Sequence, residues 1–107
     1  MIRAEFFVRD QGFYGFAVSG HAGAAPAGSD DIVCASVSSA VYLTANAVTD
    51  VLGVNARISL EEDGFLSLFV QKKDQERCKA FFQALWIHLE QLSQQYPKNL
   101  EVFQTEE

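Results

Sequence analysis

Basic side chains are scarce: eight Lys and Arg stand against fourteen Asp and Glu, a formal net charge of −6. A tract of nucleic acid needs clustered cations to neutralise its phosphates, so no direct nucleic-acid partner is expected. A basic peptide or basic protein segment suits this charge better. Cysteine is scarcer still, with only Cys34 and Cys78. Two cysteines make no disulfide framework and read as free thiols in a reducing compartment. No apolar run is expected to span a membrane, and the opening residues, with Arg3 and Glu5, lack a signal-peptide pattern. No membrane association is expected, and the cytoplasm is the expected location. His21, Cys34, Cys78 and His88 lack the spacing of convergent metal ligands, so neither a metal nor a cofactor is expected. The glycines between Gly20 and Gly28 lack the Lys-Ser/Thr ending of a phosphate-binding loop.

What remains is a chain of 107 residues, 49% hydrophobic. One domain covering residues 1–107 is expected. Ile2 to Val8 alternates as a strand, Asp10-Gln11-Gly12 marks a turn, and Phe13 to Ser19 returns. Phe13, Tyr14 and Phe16 are expected to pack within that hairpin rather than form a peptide-binding ledge. Ile32 to Leu52 repeats apolar residues at three-four spacing: Val33, Val37, Ala40, Val41, Thr44, Val48, Val51 and Leu52 form one buried face. Asp30 and Asp31 are its expected N-caps, and Gly53 its end. Asn55 to Leu60 and Phe65 to Val70 are two more strands around the turn Glu61-Glu62-Asp63-Gly64. A second helix, capped by Asp74, aligns Cys78, Phe81, Phe82, Leu85, Leu89 and Leu92 and stops before Pro97. Asn99 to Phe103 is a short last strand, and Gln104 to Glu107 reads as a frayed acidic tail. The order ββαββαβ implies an α+β two-layer sandwich, mainly antiparallel, with both helices on one face of the sheet. Phe7 and Phe69 then fall on the other face, and a homodimer through sheet or helix would cover apolar surface.

The chemistry concentrates between Ser19 and Gly53. A loop rich in glycine and alanine carries His21 and runs into the apolar helix, where Cys34 is expected in the first turn. Unpaired amides at a helix N-terminus favour an anion such as a thiolate. Ser38, four residues on, falls on the same side as Cys34. Few side chains in the loop can hold it by packing. Its histidine is therefore expected to meet Cys34 only when a substrate packs the loop down. Cys78 falls on the apolar stripe of the second helix and reads as core.

Gly20-His21-Ala22, a small-residue loop, and Asp31-Ile32-Val33-Cys34-Ala35 together resemble the ribosomal-processing cysteine protease family Prp. The resemblance implies Cys34 as nucleophile, His21 as general base and acid, and supporting roles for Asp31 and Ser38. Asp31 would cap the helix or orient His21; the residues alone leave both open. Gly20, Ala22, Gly23 and Gly28 would form the substrate loop. The family trims a short N-terminal extension from large-subunit ribosomal protein twenty-seven, so that extension is the expected substrate, and a homodimer is implied too. Two other classes fit the residues less well. One is a non-enzymatic ribosome-assembly factor gripping a basic protein tail; the other is a redox-sensing thiol protein.

Overall fold

A computed structural model describes residues 1–20, 29–61 and 65–106. Strands β1 (Ile2–Arg9) and β2 (Gly12–Ser19) form the hairpin, with Asp10 and Gln11 both left-handed at φ of 55° and 69°. Two left-handed residues in a two-residue loop match the twist of the strands they join. Gln75 clamps this turn, its Nε2 donating to the carbonyls of Arg9 at 2.7 Å and Gly12 at 3.0 Å. Helix α1 (Ser29–Asn46) follows, then a π turn at Ala47–Val51. Strands β3 (Arg57–Leu60) and β4 (Leu66–Phe69), helix α2 (Gln75–Gln95) and strand β5 (Leu100–Glu106) complete the chain. A short 3₁₀ turn at Lys72–Asp74 leads into α2.

The sheet order is β3-β4-β2-β1-β5. All pairings are antiparallel except β1 with β5, which is parallel. This is the α+β sandwich the sequence implied, with the helices on one face. Phe6 and Phe16 point into that layer, where Phe6 meets the Trp86 ring edge-on at 5.2 Å and Phe16 meets Phe82 at 6.0 Å. Phe13 joins them, 5.3 Å from Phe6 and 5.6 Å from Trp86. The hairpin aromatics Phe13 and Phe16 are thus core. A bulge between Phe7 and Val8 turns Tyr14 to the opposite face, against Phe7 and Phe69.

Several expectations need correction. The first helix begins at Ser29, so Asp30 and Asp31 occupy helical positions in its first turn rather than capping it. Acidic residues there still suit the positive end of the helix. Val51 is 77% exposed instead of buried. The π turn explains this: Leu52 donates to the Ala47 carbonyl five residues back at 2.9 Å, and the extra residue in the turn rotates Val51 outward. Gly53, at φ +69°, then ends the segment as expected. Phe81 stands on the rim of the α2 stripe at 36% exposure, because Cys78, Phe82, Leu85 and Leu89 already fill the buried face. Asp74 takes the N-cap position of α2 without a side-chain cap bond; its carboxylate faces Arg77 at 3.6 Å. Strand β3 begins two residues later than expected. The tail is not frayed as far as Glu106: Gln104, Thr105 and Glu106 pair with Phe6, Phe7 and Val8, while Glu107 lies outside the described residues. β1 offers an edge to them, and the Thr105 hydroxyl donates to the Glu5 carboxylate. Finally, Ile32–Val51 is long and apolar enough to cross a membrane by length and composition alone. Its Val33, Val37, Val41 and Val48 lie in the hydrophobic core against the sheet.

Candidate active site

Cys34 is the sixth residue of α1, in its second turn rather than its first. A regular helix leaves its first four amides unpaired, here those of residues 29 to 32. Cys34 thus lies just beyond these free donors. The stripe that buries Val33, Val37 and Val41 against the sheet leaves Cys34 half-buried at its flank, packed against the core. The other thiol, on Cys78, is fully buried. Burial first, and then the nearby Asp74 carboxylate, push the Cys78 thiol above its ordinary value, while Arg77 opposes them.

Ser38 is exposed, one turn along α1 from Cys34. Beside it lies a small hollow of about 90 Å³ lined by Val18, Val37, Val41, Tyr42, Leu60 and Leu66. Cys34, Ser38 and Tyr42 recur every four residues and so share one side of the helix. The sequence reading missed Tyr42 and Leu60; the i+4 continuation past Ser38 was the available signal for Tyr42. Leu60 comes from the edge strand β3, whose position follows only from the sheet order. The small residues Ala35, Ser36, Ser39 and Ala40 do not serve this side. They line a separate groove of about 700 Å³ with Leu85 and His88 of α2.

Gly20 directly follows β2 with φ +91°, and a Cβ there would overlap the Met1 carbonyl oxygen. Only glycine fits so close a left-handed turn. The chain therefore enters the histidine loop from a fixed point at the start of β1. His21, Ala22, Gly23 and Gly28 themselves lie outside the described residues, as do the side chains of Asp30 and Asp31. The expected meeting of His21 with Cys34, and its dependence on substrate, fall there too. Among the described residues no three His, Cys, Asp or Glu side chains converge as metal ligands.

Comparison with known proteins gives the class. The chain is 32% identical over 98 residues to the ribosomal processing cysteine protease Prp of Bacillus subtilis (strain 168), covering 87% of each. A protein of Streptococcus mutans shares the fold at a TM-score of 0.87 and 22% identity, covering 100% of this chain and 96% of that one. So does the essential ribosomal processing protease Prp of Staphylococcus aureus, solved with a covalently linked product peptide. There the TM-score is 0.85 at 20% identity, over 98% of this chain and 100% of that one. The same protease bound to a substrate peptide superposes at a TM-score of 0.86 and 17% identity, over 98% of this chain and 100% of that one. A thiol-bearing helix packed on this α+β sheet is thus the framework of a cysteine protease. Residues 1–101 match the family described as cysteine protease Prp, and the chain belongs to that family.

Proposed function

We propose that this chain is a cytoplasmic endopeptidase that removes the N-terminal extension of large-subunit ribosomal protein twenty-seven with a Cys34–His21 pair. One observation carries the choice of nucleophile: Cys78 is fully buried, whereas Cys34 is partly open to solvent. An inaccessible thiol cannot meet a peptide bond. The Cys34 sulfur adds to the scissile carbonyl carbon after its proton passes to His21. His21 then gives that proton to the departing amine, leaving a thioester that water hydrolyses. The free amides at the start of α1 stand as donors to the developing oxyanion.

Substrate recognition is supported by the hollow beside Ser38. Its valine and leucine walls suit an apolar side chain, and the Ser38 and Tyr42 hydroxyls flank it to position the peptide. A basic ribosomal protein also complements the net charge of −6. The two other classes weighed above lose ground. Family membership favours an enzyme over a passive binder, and a fully buried Cys78 suits a redox partner poorly. A homodimer is part of the proposal: Leu43, 72% exposed, and Ile87 project on the outer side of the helix layer. Sedimentation of wild type and Leu43→Glu tests it, with the variant expected to shift to monomer.

The test of activity is direct. The chain is incubated with the N-terminally extended ribosomal protein, and the product's N-terminus is read by mass spectrometry. A shortened protein is expected; a stable complex with an intact N-terminus would leave only a binding role.

A further inference from the structure

The face of the sheet away from the helices carries arginines that the surplus of acids does not neutralise. Arg3 pairs with Glu101 at 3.0 Å, Lys72 with Asp10 at 3.3 Å, and Arg77 with Asp74 at 3.6 Å. Arg9 and Arg57 have no carboxylate partner among the described residues. Both are instead laid over aromatic rings. The Arg9 guanidinium lies 4.2 Å from the centre of Tyr14, and that of Arg57 lies 5.6 Å from the centre of Phe69. Tyr14 and Phe69 in turn pack against each other at 5.8 Å and against Phe7 at 6.3 Å and 5.1 Å. The cluster is braced from below: a side chain on Gly15 would collide with the Phe69 ring. Arg9 is held further by donating from Nε to the Gln75 side-chain oxygen at 3.3 Å and from Nη2 to the Val70 carbonyl at 3.4 Å.

These groups converge on one hollow of about 630 Å³, lined by Arg9, Tyr14, Asn55, Arg57, Phe69 and Gln71. Its volume is in the range of small-ligand sites. Two guanidinium groups that form no ion pair among the described residues make it a candidate anion site. Their seating on fixed rings means that little side-chain freedom is lost on binding. The amides of Asn55 and Gln71 add donors and acceptors of the kind that read a base edge. Aromatic and guanidinium surfaces are what an unstacked base packs on. The net charge of −6 works against a run of phosphates and so confines the ligand to one unit.

We propose that this hollow, on the face of the sheet opposite both helices, binds a single nucleoside phosphate. Its phosphate sits between Arg9 and Arg57, and its base lies over the Arg57–Phe69 stack. The chemistry is shared by a free mononucleotide and by one unpaired nucleotide of an RNA. The site is separate from Cys34, so the proposal stands or falls independently of the peptidase reading.

The experiment is an NMR titration of the isotope-labelled chain with a purine nucleoside 5′-monophosphate, an RNA hexamer, inorganic phosphate and a tetraglutamate peptide. The monophosphate is expected to shift the Arg57 and Phe69 amides and the arginine Nε signals. Inorganic phosphate is expected to bind more weakly at the same signals. Arg57→Ala removes an exposed side chain that makes no side-chain hydrogen bond among the described residues, and should weaken binding roughly tenfold or more. Arg3→Ala, on the same face but paired with Glu101, should bind as wild type does. Hexamer binding at least tenfold tighter than the monophosphate identifies RNA as the source; equal binding identifies the free nucleotide. The proposal is overturned if millimolar monophosphate leaves these signals unmoved, or if Arg57→Ala binds as tightly as wild type. Preferred binding of tetraglutamate would overturn it in favour of an acidic protein partner.

Discussion

Gly20 lies so close to Met1 that any Cβ on it would overlap the Met1 carbonyl oxygen, and its φ of +91° lies in the left-handed region. The residue directly before His21 is therefore tied to the first residue of the chain. Gly20→Ala should cost more than about 1 kcal/mol, from the left-handed backbone and the clash together. Chemical denaturation of wild type and variant checks this; an unchanged midpoint would mean that the turn relaxes freely.

Gln11 holds a left-handed conformation that glycine adopts without strain, in a two-residue turn whose second position favours glycine. Gln11→Gly should stabilise the chain by about 0.5 kcal/mol, the relief of strain exceeding the added freedom of the unfolded chain. A lower melting temperature in the variant would contradict this.

Cys78→Ala should retain cleavage activity and lose roughly 1 kcal/mol, because one buried heavy atom leaves a cavity between α2 and the sheet. For a chain of this size that is a drop of about 4–8 °C in melting temperature. Loss of activity at an unchanged melting temperature would show the wrong cysteine to have been assigned.

The same thiol sets a pH dependence. Burial raises it above its reference value of 9.0, so the folded state holds the proton more tightly than the unfolded chain does. Its contribution to stability is fully present below the unfolded value and is lost as pH rises through the folded one. Wild type should therefore lose more stability than Cys78→Ala as pH rises from 8 through 9.0 and above. Parallel denaturation curves for the two proteins over that range would contradict the assignment.

Much of this fold was legible because burial repeats with the period of the element. Ile2, Ala4 and Phe6 alternate into the core, while Cys78, Phe82, Leu85 and Leu89 follow the helical stripe. Less legible were features set by tertiary partners. Gln104, Thr105 and Glu106 have a polar composition that suggests a loose tail, yet the edge of β1 recruits them as strand. The outward turn of Val51 follows from one extra residue in a π turn, which leaves no mark on composition. At the site, the sequence separated the accessible Cys34 from the buried Cys78 through their positions on two helices. It placed Cys34 one turn too early because Asp30 and Asp31 suggest caps, although α1 begins at Ser29. Tyr42 could have been added from its spacing to Ser38, whereas Leu60 depends on which strand forms the sheet edge.

The most direct measurement compares cleavage of the extended ribosomal protein by wild type, Cys34→Ala and Cys78→Ala at equal concentration, with circular dichroism confirming that each is folded. Mass spectrometry of the substrate's N-terminus should show the extension removed by wild type and by Cys78→Ala. With Cys34→Ala the rate should fall by at least about a thousandfold, since no other group replaces the nucleophile. Cleavage at the wild-type rate by a folded Cys34→Ala would contradict the account at its centre.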